Sequence, residues 1–247
     1  MIPKKIHYCW FGGRPLPSLA RKCIRSWEKY LPDYEIVRWD ESNYDVNKVQ
    51  YMREAYAAGK YAFVSDYARF DILYRHGGLY FDTDVELIKP LEDIIAAGPF
   101  MGCENPSCPE DTSASLAVNP GLGLGAVPGL SLYKEILEKY ETLSFNHDED
   151  AVPKTVVEYT TELLVKKGLK NTPAIQNIEG INVYPNDFFC PLSYETGKLR
   201  ITENTVSIHH FAATWVSPSQ KFKKRLGWII GKKGMQFLVT VKSLLKK

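Results

Sequence analysis

The chain has 247 residues, 45% hydrophobic and 24% charged, which is the composition of a folded protein with room for one substantial core. Five scattered cysteines without a Cys-x-x-Cys pair argue against a disulfide framework or a zinc site and favour reduced thiols. Residues 221–247 hold nine Lys or Arg and no acid, so the net charge of +2 leaves −7 on the preceding 220 residues.

No apolar run approaches the ~18 residues needed to cross a bilayer, and the first residues do not resemble a signal peptide. We therefore expect a cytoplasmic location. The charge asymmetry predicts two parts: one domain over residues 1–220, and a basic amphipathic tail over residues 221–247.

The hydrophobic pattern predicts an α/β fold, because strand and helix patterns alternate from the start. Strands are predicted at Ile6–Trp10 and Tyr34–Trp39, with a helix at Pro17–Tyr30 between them. The remaining predictions are strands at Leu79–Asp82, Phe100–Cys103, Leu122–Val127 and Val206–Phe211, helices at Tyr61–His76, Leu130–Leu143 and Val152–Lys167, and loops over residues 104–120 and 145–153.

Two carboxylates, Asp82 and Asp84, follow the predicted buried strand Leu79–Asp82. Strand side chains alternate, so both can point to the same side. Neighbouring carboxylates repel unless a cation lies between them, and Mg²⁺ or Mn²⁺ would be a suitable hard cation. The alternative is a surface turn, where Asp is common.

Asp66 and Arg69 are three residues apart on the predicted helix, which leads through two glycines to the acidic segment. Ser65-Asp66-Tyr67-Ala68-Arg69, followed by Gly77-Gly78-Leu79-Tyr80-Phe81-Asp82-Thr83-Asp84, resembles a family of glycosyltransferases with a DXD sugar-binding motif. That family includes capsular-polysaccharide transferases and initiation-specific mannosyltransferases, and it is related to the catalytic domains of large clostridial glucosylating toxins.

The resemblance implies a GT-A-type nucleotide-diphospho-sugar transferase fold, with a mixed central sheet flanked by helices, and a retaining reaction that depends on Mn²⁺ or Mg²⁺. It also implies roles for single residues. Asp66 and Arg69 would hold the donor sugar, Tyr80 would lie along the donor, and Asp82 and Asp84 would serve the metal. Both aspartates, together with Asp66 and Arg69, would take part in catalysis.

Residues at both ends of the chain extend this resemblance. Trp10 would stack on the nucleobase, although a core Trp is the alternative, and Asn43 falls near a nucleoside-contacting position. His210, five residues before Trp215, would complete the metal shell unless it is only a polar strand residue. Thr214 and Trp215 would meet the β-phosphate, and Asn119 would line the far face of the sugar.

The sequence therefore predicts a metal-dependent retaining hexosyltransferase. We expect it to use a UDP-sugar in preference to a GDP-sugar, and to act on a glycan or lipid-linked acceptor in capsule or exopolysaccharide synthesis. The alternatives are a metal-dependent nucleotide-sugar hydrolase and a non-catalytic sugar-nucleotide-binding module. The Trp-bearing basic tail favours contact with the inner face of the membrane over nucleic acid, with packing on the domain as the alternative.

Overall fold

Regular elements occur in the order expected for an α/β chain in the computed structural model, which describes residues 1–106, 116–145 and 154–212. The strands are β1 (Lys5–Cys9), β2 (Glu35–Trp39), β3 (Gly78–Tyr80), β4 (Val85–Leu87), β5 (Phe100–Gly102), β6 (Leu124–Ala126), β7 (Gln176–Ile178), β8 (Ile181–Tyr184) and β9 (Ser207–His209). The helices are α1 (Ser18–Tyr30), α2 (Gln50–Ala57), α3 (Tyr61–His76), α4 (Glu92–Ala96), α5 (Ser131–Glu141), α6 (Val156–Lys166) and α7 (Asn186–Phe189).

Seven strands form one mixed sheet in the order β2-β1-β3-β6-β5-β8-β7, and β4 and β9 form a separate antiparallel pair. β1 runs parallel to both β2 and β3, whereas β6 lies antiparallel between β3 and β5. The carboxyl ends of β1, β2 and β3 therefore meet at one edge of the sheet, where open α/β sheets usually bind ligands.

Alternating strand side chains divide the hydrophobic core into two clusters, one on each face of the sheet. One face carries residues such as Cys9 and Tyr80 and packs against side chains of α2, α3, α5 and α6. The other face carries neighbours such as Tyr8 and Leu79 and packs against α1, α4 and α7. The predicted α/β class with a mixed central sheet flanked by helices is confirmed.

The predicted helix Tyr61–His76 is found with the same ends, and the predicted strand before the acidic pair is shorter than expected. β3 ends at Tyr80, so the expectation that Asp82 ends a strand is wrong. Asp82–Asp84 instead lie in the connection to β4, where the Val85 amide donates to the Asp82 carbonyl at 3.0 Å. A turn, rather than strand alternation, brings the two carboxylates together.

Some elements were not predicted because they are short, three to eight residues each, and carry little periodicity. These are α2, β4, α4, β7, β8 and α7. The helix predicted at Val152–Lys167 begins at Val156, because Thr155 and Glu158 form a capping box there. The tail over residues 221–247 and parts of both predicted loops lie outside the described residues. In the part of the chain that is described, no helix is long and apolar enough to cross a membrane.

Trp27 links α1 to the β3–β4 connection, and it is fully buried. Its Nε1 donates to the Val85 carbonyl at 2.8 Å, and its ring lies 5.5 Å from that of Phe81. Trp27→Ala should therefore lower the free energy of unfolding by about 3–5 kcal/mol, measured by urea denaturation. Val165→Ala, at a side chain that is 48% exposed, is the control and should change it by less than about 0.5 kcal/mol. Equal effects of the two substitutions would contradict the prediction.

Candidate active site

A buried guanidinium lies at the centre of the site. The Arg69 side chain is 4% exposed, and its Nη2 lies 3.0 Å from Asp66 Oδ1 and 3.3 Å from Asp82 Oδ1. Asp66 and Arg69 are one turn apart on α3, so the helix presents them side by side. Arg69 thus joins the helix to the acidic turn, as the proximity of the two segments in sequence suggested.

Tyr80 supports the same carboxylate from β3. Its side chain is buried, its hydroxyl donates to Asp82 Oδ1 at 3.1 Å, and the Arg69 guanidinium lies 5.2 Å from its ring centroid. These contacts orient Asp82. In the structure, Tyr80 thus contacts Arg69 and Asp82.

Asp84 is paired with a histidine, but not with the one predicted. His209 Nε2 lies 3.3 Å from Asp84 Oδ1, and the Ala212 amide donates to Asp84 Oδ2 at 2.7 Å. β9 pairs with β4 so that His209 is opposite Val85, directly beside the acidic turn. His210, the histidine predicted as a metal ligand, follows the strand end, and its Nε2 lies 2.7 Å from Glu86 Oε2.

The electrostatics of the site reflect crowding of carboxylates around few cations. Burial raises the pKa of Asp66 to about 7, and it also raises the pKa of Asp82, despite the opposing charge of Arg69. Burial would likewise raise the pKa of Asp84, but the charge and hydrogen bond of His209 lower it to about 2. Asp84 is thus held as a carboxylate, and further positive charge would stabilise the ionised forms of the other two.

The residues present fit a divalent cation. One ligand atom each from Asp82, Asp84 and His209 can be chosen so that all three lie within 4.8 Å of one another. The buried Nδ1 of His209 has no hydrogen-bond partner in the described residues. Two carboxylates and an imidazole are ligands that Mn²⁺ accepts, and the carboxylates also suit Mg²⁺.

The turn after Asn119 closes the site on the other side. The Asp82 amide donates to the Gly121 carbonyl at 3.2 Å. The Asn119 side chain is buried, and it accepts from the Gly121 amide at 2.7 Å and donates to Glu104 Oε2 at 2.7 Å. The described side-chain hydrogen bonds of Asn119 therefore stabilise the loop that contains Gly121.

Trp10 and Asn43, predicted to contact the nucleoside, lie at the same sheet edge. Within the described ranges, neither forms a hydrogen bond with the aspartates of the site. Trp10 directly follows β1, is half-buried, and donates from Nε1 to the Arg14 carbonyl at 2.6 Å. Asn43 is exposed in the turn after β2, with its amide bonded to Arg38 and Asp40 backbone. Thr214 and Trp215 lie outside the residues that the structure describes.

Comparison with known proteins agrees with this geometry. Residues 17–101, which contain Asp66, Arg69, Asp82 and Asp84, match the family model described as a glycosyltransferase sugar-binding region containing a DXD motif. This stretch of the chain is thus similar to a DXD-motif sugar-binding region. The resemblance predicted from the sequence is confirmed.

Relatives of the sugar-binding region include glycosyltransferases. An uncharacterized glycosyltransferase, L373, of Acanthamoeba polyphaga mimivirus is 36% identical over 40% of this chain and 42% of its own length. Inositol phosphoceramide mannosyltransferase 1 of Schizosaccharomyces pombe is 27% identical over 40% of this chain and 33% of its own. The matches thus span less than half of either relative.

Among solved structures, the PaToxG glycosyltransferase is similar with a TM-score of 0.49 and 18% identity, over 68% of this chain and 70% of that one.

Three residues that contact the aspartates of the site, directly or through Asn119, were not predicted. His210 was predicted as the metal ligand, and only the β4–β9 pairing shows that its neighbour His209 lies beside the acidic turn. Gly121 and Glu104 carry no motif signal, because their importance comes from contacts across the sheet. The glycine repeat Gly121-Leu-Gly-Leu-Gly was a visible sign of close packing.

The two adjacent histidines give a matched pair for testing the metal site. His209→Ala should weaken Mn²⁺ binding by about tenfold or more, since it removes a nitrogen ligand. His210→Ala should leave Mn²⁺ affinity close to that of the unmodified protein, because this side chain pairs with Glu86. Affinity can be measured from the electron paramagnetic resonance signal of free Mn²⁺. A loss confined to His210→Ala would reverse the assignment.

Proposed function

We propose that this protein is a retaining, metal-dependent glycosyltransferase of the GT-A type, which moves a hexose from a nucleotide-diphosphate sugar to a glycan or lipid-linked acceptor. The observation that supports it is the linked cluster in which Arg69 bridges Asp66 and Asp82 beside Asp84 and His209. The match of residues 17–101 to a DXD sugar-binding region supports the same reaction class.

Asp66 and Arg69 would bind hydroxyls of the donor sugar. Arg69 has five N–H donors, of which its described contacts use only some, and Asp66 accepts through its carboxylate oxygens. Both side chains are nearly buried, so a bound hydroxyl would replace little water. The half-buried Trp10 at the same sheet edge offers a ring on which a nucleobase could stack, with UDP favoured over GDP by the family resemblance.

Asp82, Asp84 and His209 would hold Mn²⁺ or Mg²⁺, which when bound neutralises charge on the departing diphosphate. Tyr80 and Arg69 would keep Asp82 oriented for this task through their bonds to its Oδ1. Thr214 and Trp215 remain proposed contacts of the β-phosphate.

Retention fits attack from the side of the leaving group. The acceptor oxygen would bond to the anomeric carbon as the bond from that carbon to the phosphate oxygen breaks. The acceptor proton would pass to the departing phosphate oxygen. Asn119 is proposed to lie at the far face of the sugar. Its side-chain amide already forms hydrogen bonds with Gly121 and Glu104, so it would contact the sugar only through its remaining hydrogen-bonding capacity.

Capsule or exopolysaccharide synthesis at the inner face of the membrane would bring such an enzyme close to lipid-linked acceptors. We propose residues 1–220 as the catalytic domain and residues 221–247 as a membrane-surface segment. Nine basic residues, with Trp228 and other apolar side chains among them, support this, since each basic residue near an anionic surface contributes ~1 kcal/mol.

Removing one metal-binding carboxylate tests the catalytic proposal. Asp84→Asn should lower hexose transfer from UDP-sugars in Mn²⁺ by about 100-fold or more while the melting temperature stays near that of the unmodified protein. Asp33→Asn, at an exposed surface pair with Lys4, is the control. A screen of UDP- and GDP-sugars by thermal shift identifies the donor. Undiminished turnover of Asp84→Asn would refute the metal role, and release of free sugar without transfer would favour a hydrolase.

Deleting residues 221–247 tests the membrane proposal. The full chain should co-sediment with anionic liposomes and should be released by salt, because the attraction of basic residues is screened. The shortened chain should remain in the supernatant. Neutral liposomes are the control, and equal binding of both chains to anionic liposomes would disprove a membrane role for the tail.

A further inference from the structure

A tight turn at residues 119–121 packs directly against the carboxylate of Asp82. A side-chain carbon added at Gly121 would lie 2.3 Å from Asp82 Oδ2 and 3.0 Å from Asn119 Oδ1. There is no room for a methyl group between these oxygens. The position of the turn therefore limits where the Asp82 carboxylate can lie.

The Asn119 side chain holds this turn in place. Its Oδ1 accepts from the Gly121 amide at 2.7 Å, and the Gly121 carbonyl in turn accepts from the Asp82 amide at 3.2 Å. An amide N–H can only donate, so the atom of Asn119 that faces Gly121 must be the oxygen. Its Nδ2 must then point the other way, toward an acceptor.

Glu104 supplies that acceptor. Asn119 Nδ2 donates to Glu104 Oε2 at 2.7 Å. The backbone around Glu104 is also fixed, because its amide donates to the Ala117 carbonyl at 2.7 Å and the Asn119 amide donates to the Gly102 carbonyl at 3.0 Å. Glu104 thus lies at the end of a continuous hydrogen-bonded path, just beyond β5 and outside the matched sugar-binding region.

We propose that Glu104 is a positioning residue for the metal-binding carboxylate of Asp82, acting through Asn119 and Gly121. This inference rests on the proposed function, since it concerns the carboxylate assigned to the metal. Without Glu104, one end of the buried Asn119 amide loses its acceptor, and the amide is free to turn away from Gly121. The turn then no longer restricts the position of the Asp82 carboxylate. Loss of outer-shell contacts of this kind commonly lowers metal affinity.

Three variants compared in the full-length protein test the path. Glu104→Ala should weaken Mn²⁺ binding, measured by electron paramagnetic resonance without donor, by about 10–100-fold. Glu104→Gln keeps an oxygen acceptor and should restore affinity to within about threefold of the unmodified protein. Glu135→Ala, at a surface pair with Lys167, is the control and should leave affinity unchanged. In transfer assays, the Mn²⁺ dependence should shift for Glu104→Ala alone.

A fourth variant leaves Glu104 in place. Gly121→Ala adds a methyl group against Asp82 and should lower Mn²⁺ affinity as Glu104→Ala does. It provides the test if Glu104→Ala does not fold, as judged by near-ultraviolet circular dichroism.

The outcomes distinguish failure of the positioning path from failure of the proposed metal role. Mn²⁺ affinity close to that of the unmodified protein in Glu104→Ala or Gly121→Ala would overturn the positioning path, as would equal loss in Glu104→Gln and Glu104→Ala. Absence of Mn²⁺ binding by the unmodified protein would instead overturn the proposed metal role.

Discussion

The buried charge of Arg69 is the constraint on which the site depends. Three carboxylates, those of Asp66, Asp82 and Asp84, lie near one another with limited exposure, and Arg69 is shared by the first two. A buried charge without a partner is strongly unfavourable, so loss of this guanidinium would leave both acids uncompensated. Asp84 depends separately on His209. Carboxylates still outnumber the cations that contact them, and a divalent ion would correct that imbalance.

The chain brings Arg69 to Asp82 by reversing direction within two residues. Gly77 and Gly78 both have positive φ, at 62° and 98°, which side chains with a Cβ rarely adopt. A Cβ at Gly78 would also lie 2.7 Å from the Lys5 carbonyl, so only glycine allows β3 to pair so closely with β1. This reversal returns the chain along α3, and it places the acidic turn beside the helix residues that neutralise it.

Local patterns explain which features were predictable from the sequence. The aromatic face of α3 and the glycines that end it are local features of the sequence, so both helix ends were predicted correctly. The sequence also predicted Asp66, Arg69 and Asp82 as residues of one site, and in the structure Arg69 pairs with both aspartates. The position of His209 depends on the register between β4 and β9, whose paired residues are 120 or more positions apart and which have three residues each. Three-residue strands carry too little periodicity to predict such a pairing. The nucleoside-side assignments of Trp10 and Asn43 stay predictions.

Alternate glycines connect the core to the site. Gly121, Gly123 and Gly125 are spaced by two, and they run from the turn beside Asp82 into β6. Added carbons would lie 2.3 Å from the Asp82 carboxylate, 2.9 Å from the Phe81 ring and 2.3 Å from the Phe100 ring, respectively. The missing side chains thus let one segment lie against aromatic rings at one end and an acidic group at the other. Since close-packed rings resist displacement, the packing that stabilises the sheet also holds the turn at residues 119–121 in position beside Asp82.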